Sequence, residues 1–173
     1  MPIALDTQGL HPTTDACLEM LQSLQDNHEF SRILEIGCGN GILSIIAASI
    51  WDAPVLAVDI SQKAVEDTRH AVVEYELEDL ITVERSDGCS HPSVARNAPY
   101  DLVICNLLAD VLLQIAHDVV NLIKSDGYCL FSGMLEWRSQ EVVNVYESLG
   151  FEIIQKKTFS PWQLLLLRHK KKS

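Results

Sequence analysis

Metal-binding and disulfide spacings are missing from these 173 residues. No CxxC pair, no HExxH and no other paired histidine spacing occurs. The five cysteines, Cys17, Cys38, Cys89, Cys105 and Cys129, stand alone, and their odd number suits reduced thiols. Cys105 and Cys129 fall in runs that read as buried strands, where a thiol packs as a small apolar group. The expectation is therefore no metal site. Long apolar runs are also missing: none approaches the roughly 20 residues needed to span a bilayer. The start, Met1-Pro2-Ile3-Ala4, has neither the basic flank nor the small-residue site of a secretory leader, so a cytoplasmic protein is expected. Basic charge is scarce, with 13 Lys and Arg against 24 Asp and Glu, a net charge of −11. That balance argues against a broad phosphate-binding surface, and so against a nucleic-acid partner. It serves solubility, and it suits a basic partner such as a lysine-rich protein segment. The stretch His169-Lys170-Lys171-Lys172 reads as a short solvated end.

Repeats, low-complexity tracts and linkers are absent too, so residues 1–173 read as a single domain, long enough to bury a core. Hydrophobic residues make up 47% of the chain, which places it among globular proteins. Short apolar runs alternate with longer periodic segments, the pattern of βαβ units around a parallel sheet. A first helix is expected near Thr13, just after Pro12, with Cys17, Leu21 and Leu24 on one face. Strands are expected over 32–36, 55–59, 81–85, 100–106 and 128–132. Residues 42–50 are apolar on nearly every side and read as a buried helix. Ser61 reads as the cap of a helix running to about Glu76. A helix over about 110–123 ends at Ser125-Asp126-Gly127, and another over 140–149 stops at Gly150. Runs at 151–158 and 163–168 are separated only by a short Ser160-Pro161-Trp162 connection, too short for a crossover, so they pair antiparallel. The fold class expected is α/β: a Rossmann-like, seven-stranded, mostly parallel sheet with an antiparallel C-terminal hairpin and helices on both faces.

The strongest motif is Leu34-Glu35-Ile36-Gly37-Cys38-Gly39-Asn40-Gly41, in which a strand ending in an acid turns through glycines into a buried helix. Glycines let the backbone approach a ligand closely, and the helix start presents free N–H groups. The spacing here is GxGxG, with Ile42 beyond, rather than the GxGxxG of dinucleotide binders. A carboxylate at Glu35 suits the ammonium of a methionine moiety and disfavours a pyrophosphate. With the hairpin, the motif points to S-adenosyl-L-methionine over NAD. Asp59, 20 residues past Gly39, is placed to accept ribose hydroxyls, and Ile60 follows it. Asp87 and Gly88 lie beyond the third strand, where a side chain could take the adenine amine, although Asp-Gly is also an ordinary turn. Asn106, followed by Leu107-Leu108-Ala109, ends the fourth strand. Its amide oxygen suits an incoming amine, and Asn also caps helices well. Deprotonation of that amine falls to water or to Asp110.

These residues, with His11-Pro12-Thr13-Thr14 before the first helix, Val58-Asp59-Ile60, Ser132-Gly133-Met134-Leu135 and the Trp162 hairpin, resemble the catalytic domain of the PrmA family of class I methyltransferases. The resemblance runs from about His11 to the last strand. It implies methyl transfer to amino groups of a protein, with His11 and Thr13 closing over the cofactor and Asn106 facing both cofactor and substrate nitrogen. The family's glycine-rich run before His-Pro-Thr-Thr is replaced here by Leu5-Asp6-Thr7-Gln8-Gly9-Leu10. The docking domain that the family carries ahead of its catalytic domain has no counterpart in these residues. The reading is thus an S-adenosylmethionine-dependent N-methyltransferase acting on an amine-bearing protein or small molecule, with weak or no action on isolated ribosomal protein L11, the substrate that the resemblance implies for the family. Its rivals are a small-molecule methyltransferase, a non-catalytic S-adenosylmethionine-binding scaffold and an NAD enzyme.

Overall fold

The computed structural model describes residues 9–170, so the readings made above for residues 1–8 and 171–173 lie outside the described residues. In chain order the elements are α1 (Pro12–Gln25), β1 (Ile33–Ile36), α2 (Ile42–Trp51), β2 (Val55–Asp59), α3 (Gln62–Glu74), β3 (Ile81–Arg85), α4 (Pro92–Arg96) and β4 (Tyr100–Asn106). Then come α5 (Ala109–Gln114), α6 (Ala116–Leu122), β5 (Ile123–Leu135), a 3-10 turn (Glu136–Arg138), α7 (Ser139–Ser148), β6 (Phe151–Phe159) and β7 (Trp162–His169). Local chemistry sets the helix starts. His11 caps α1 through its ring nitrogen, with Pro12 in the first turn, and the Ser61 hydroxyl accepts from Ala64 N to cap α3.

The strands form one sheet in the order β3-β2-β1-β4-β5-β7-β6. Five are parallel through the β1–β2, β1–β4, β2–β3 and β4–β5 pairings, and β7 runs antiparallel to both β5 and β6. Strand order reverses between β1 and β4, so the crevice expected of an open parallel sheet lies at their carboxyl ends. Helices α1, α2 and α3 pack one core on one face of the sheet, and α4 to α7 pack a second on the other. Helix α2 is apolar almost all round because Leu43, Ile45, Ala47 and Ala48 are at most 2% exposed. Each buried Leu or Ile there contributes about 1.5–3 kcal/mol relative to an exposed one.

Several boundaries differ from the sequence reading. The helix over 110–123 is two helices, broken at Ile115, whose φ of −87° and ψ of 0° leave the helical region. Strand β5 begins at Ile123, ahead of the Ser125-Asp126-Gly127 segment, with Asp126 at φ 63° as an irregularity inside it. Strand β1 starts at Ile33 rather than Arg32. Helix α4 was not expected, since five residues are too few to show a helical period. His169 is not solvated: it closes β7, is buried, and packs against Phe151 with ring centroids 4.9 Å apart and planes tilted by 40°.

Candidate functional site

The glycine turn leaves β1 stitched to its neighbour, with Gly37 N and Cys38 N both donating to Val58 O at 2.8 and 3.0 Å. Gly37, Gly39 and Gly41 have φ of 79°, 56° and 82°, a region other residues avoid. Gly37 also lies against Leu107. A Cβ there would stand 2.5 Å from Leu107 Cδ2, so the turn and the residue after Asn106 are in direct contact. Asp59, at the end of β2, faces the turn: its Oδ2 accepts from Gly39 N at 3.0 Å and its Oδ1 from Ser61 N at 2.9 Å. Ile60 beyond it is 60% exposed. Asp87 and Gly88 lie just past β3, whose Arg85 is in register with Asp59. There the Ser86 hydroxyl donates to Gly88 O at 2.8 Å and fixes the turn, while Asp87 is exposed. The structure therefore brings Gly37, Gly39, Asp59, Ile60, Asp87 and Gly88 to the carboxyl ends of three adjacent strands.

Glu35 is placed differently from expectation. It is 1% exposed, and its carboxyl accepts a hydrogen bond from the Ser44 hydroxyl on α2. The reason is the two-residue strand period, which puts Glu35 on the same face of β1 as Ile33, beneath α2. Burial pushes this carboxyl up to about 8, against the opposing effect of the Ser44 hydrogen bonds. Ser44 is thus the side chain that partners Glu35. Burial, with Glu35 second, likewise pushes the Cys38 thiol up to about 12.

Across the strand reversal, Asn106 Nδ2 donates to Thr14 Oγ1 at 3.2 Å. That bond leaves Asn106 Oδ1 buried without a hydrogen-bond partner among the described residues, and the Ser132 hydroxyl is in the same condition. Asn106 and Ser132 are partners in the β4–β5 register, so both side chains face α1. Buried polar atoms without partners are uncommon, and each calls for a ligand or water. A Cβ on Gly133 (φ 80°) would lie 2.7 Å from Leu107 N and 2.8 Å from Asn106 Oδ1, so only glycine lets Asn106 sit there. Asn106 is not a helix cap, for Leu108 occupies that position in α5. His11 Nδ1 accepts from Thr13 N at 3.3 Å and lies 2.7 Å from Thr13 Oγ1, and the ring meets Trp162 edge-on at 5.1 Å. The first turn of α1 is thus tied to both β4 and the hairpin. Asp110, at the start of α5, is exposed and accepts at Oδ1 from Arg138 Nη2 at 2.8 Å, and Arg138 also binds Glu141. Sequence reasoning missed Ser44 and Arg138 as partners, since each acts across elements whose adjacency only the topology reveals.

Among the described residues, no group of three or more His, Cys, Asp or Glu is gathered as a metal site would require, and no helix is long and apolar enough to cross a membrane.

Over residues 4–170 the chain matches the family described as Ribosomal protein L11 methyltransferase (PrmA). The ribosomal protein L11 methyltransferase of Dictyoglomus turgidum is 32% identical over 167 residues, covering 93% of this chain and 51% of that protein. The same enzyme of Desulfitobacterium hafniense is 34% identical over 165 residues, covering 95% of this chain and 51% of that protein. The chain spans about half the length of these curated relatives. Among solved structures, the ribosomal protein L11 methylase of Lactobacillus delbrueckii subsp. bulgaricus has a TM-score of 0.83 at 23% identity, covering 96% of this chain and 83% of that one. A precorrin-6y C5,15-methyltransferase of Geobacter metallireducens has a TM-score of 0.75 at 14% identity, covering 98% of this chain and 100% of that one. At such identities these structures share the fold.

Proposed function

The chain belongs to the family of ribosomal protein L11 methyltransferases, PrmA, and from that premise we propose that residues 1–173 make up one cytoplasmic, S-adenosylmethionine-dependent methyltransferase domain acting on an amino nitrogen of a protein. One observation carries this reading. Leu107 rests on Gly37, so an amide oxygen without a partner, on Asn106, is held next to a glycine turn. The residues present fit the cofactor. Three left-handed glycines leave the turn free of side chains, Asp59 presents a carboxylate beside it, and Ile60 offers an exposed apolar surface.

In this reading Gly37 and Gly39 let the backbone approach the methionine part, and Glu35, two residues before Gly37, ties β1 to α2 through Ser44. Asp59 accepts the ribose hydroxyls, Ile60 packs on the adenine, and Asp87 and Gly88 border its amine. His11 and Thr13 close the first turn of α1 over the site. The cofactor, when bound, supplies an electrophilic methyl group and its own leaving group. The protein's part is alignment and exclusion of water, and alignment alone can contribute roughly 7–11 kcal/mol. Asn106 Oδ1 accepts an N–H of the acceptor amine and orients its lone pair. Thr14 keeps the amide turned the right way by accepting from Nδ2. With Asp110 held by Arg138, the proton lost by the amine leaves through water.

The test is transfer of labelled methyl groups into a host lysate fractionated into protein, nucleic acid and small molecules, beside purified ribosomal protein L11. The expected label is on amino groups in the protein fraction. Label confined to nucleic acid or small molecules, or none at all, would sink the reading.

A further inference from the structure

Helix α3 buries three side chains, Val65, Thr68 and Val72, and the middle one is polar. Threonine matches its two valine neighbours in shape and differs by a hydroxyl, which costs stability when buried unless it is bonded. Thr68 is fully buried. A helical threonine ordinarily bonds the carbonyl one turn back in its own helix. Thr68 Oγ1 instead donates across to Gly39 O at 2.9 Å, 29 residues away in the glycine turn. Its one hydroxyl proton is thereby committed, so the Cys38 thiol, 3.4 Å from Oγ1, is the donor in the second contact. Burial pushes that thiol up to about 12, so it keeps the proton it donates. The methyl group has a partner too, for a Cβ on Gly41 would stand 2.6 Å from Thr68 Cγ2. A single side chain of α3 therefore meets Cys38, Gly39 and Gly41.

Gly39 is held from a second direction by Asp59, whose Oδ2 accepts from Gly39 N at 3.0 Å. Asp59 Oδ1 accepts from Ser61 N at 2.9 Å, and Ser61 is the cap of α3. Helix α3 thus reaches the Asp59 carboxylate twice, directly at its cap and indirectly through Thr68 and Gly39. Each carboxylate oxygen retains a free lone pair, which suits a pair of ribose hydroxyls. Glycine is the residue with most freedom to turn, and the bond to Gly39 O fixes how Gly39 presents its N–H. We propose that Thr68 is a positioning residue for the cofactor: its hydroxyl fixes Gly39, and Gly39 fixes the Asp59 carboxylate toward the ribose. The proposal rests on the methyltransferase reading above, in which Asp59 accepts the ribose hydroxyls, and adds a residue that reaches the ligand only through others.

The experiment is calorimetric titration with S-adenosylhomocysteine, with urea unfolding of every variant beside it. Thr68→Val keeps the methyl contact with Gly41 and removes the hydroxyl, so affinity should fall about tenfold. Thr68→Ser keeps the hydroxyl and removes the methyl, so it should lose stability and bind nearly as the wild type does. Thr68→Ala and Thr68→Ser differ by the hydroxyl alone, and that pair should show the same loss even where Thr68→Val folds poorly. In transfer assays Thr68→Val should raise the cofactor KM more than it lowers kcat. Adding Thr68→Val to Asp59→Ala should leave affinity close to that of Asp59→Ala, because changes along one chain of contacts do not add. Unchanged affinity in Thr68→Val, or an equal loss in Thr68→Ser, would overturn the proposal. So would the full Thr68→Val loss on top of Asp59→Ala, since Thr68 would then act by another route. A wild-type chain that binds no S-adenosylhomocysteine would bring down the methyltransferase reading, and the proposal with it.

Discussion

The two halves of the crevice are built by different means. On the cofactor side, the turn after β1 is shaped by backbone conformation, with three glycines at positive φ and Asp59 accepting from Gly39 N. On the acceptor side, position comes from side chains meeting across long stretches of sequence. Asn106 meets Thr14, 92 residues away, and Arg138 meets Asp110, 28 residues away. The first half is a local device that a short motif can encode. The second exists only once the sheet has brought α1, β4 and β5 together. The two meet through Leu107 on Gly37 and through the β1–β4 pairing, but the groups that set each half differ, so they should be separable by mutation.

The sharpest break is at Gly133. An alanine Cβ there would stand 2.7 Å from a backbone nitrogen, at a φ of 80° that side chains rarely adopt, so Asn106 must shift. Gly133→Ala should lower turnover by roughly a hundredfold, the cost of a small misplacement of reacting groups. Affinity for S-adenosylhomocysteine, measured by calorimetry, should change little. A parallel loss of that affinity would mean that the halves are one unit.

Asp59→Ala probes the other side. It removes the expected ribose acceptor, so product binding should weaken by about 1–3 kcal/mol, while turnover at saturating cofactor stays close to wild type. Normal affinity in this variant would remove Asp59 from the cofactor site.

A separate effect, on stability rather than on binding or turnover, comes from Glu35. Its carboxyl is raised from an ordinary 4.5 to about 8 in the folded chain. The native state therefore keeps a proton that the unfolded state gives up. The stability this group contributes is fully present below about pH 4.5 and is lost as pH rises toward 8. Over that window the loss is on the order of 1 kcal/mol per pH unit. Glu35→Gln should flatten this part of the pH dependence in urea unfolding. An identical slope in both proteins would show that Glu35 ionises normally when folded.

What could be read from the sequence follows the same division. Strands β2, β3 and β4 fall where apolar runs placed them, the hairpin follows from the short 160–162 connection, and the Ser61 cap is a local feature. The glycine turn was visible because its chemistry lies within eight consecutive residues. The partners of its neighbours were not. The bond from Ser44 to Glu35 was not legible, because nothing in the strand announces which side chain of α2 packs over it. The pairing of Asp110 with Arg138 was not legible because 28 residues separate them. Ile115, at the break in the helix over 110–123, is apolar and carries no punctuation such as Gly or Pro.

The central claim is that cofactor binding and acceptor positioning reside on opposite sides of the β1–β4 reversal. Asn106→Ala tests it most directly, by calorimetric titration with S-adenosylhomocysteine beside a methyl-transfer assay on the same preparation. The account predicts wild-type affinity with turnover lost. Abolished cofactor affinity, or an unchanged rate, would contradict it.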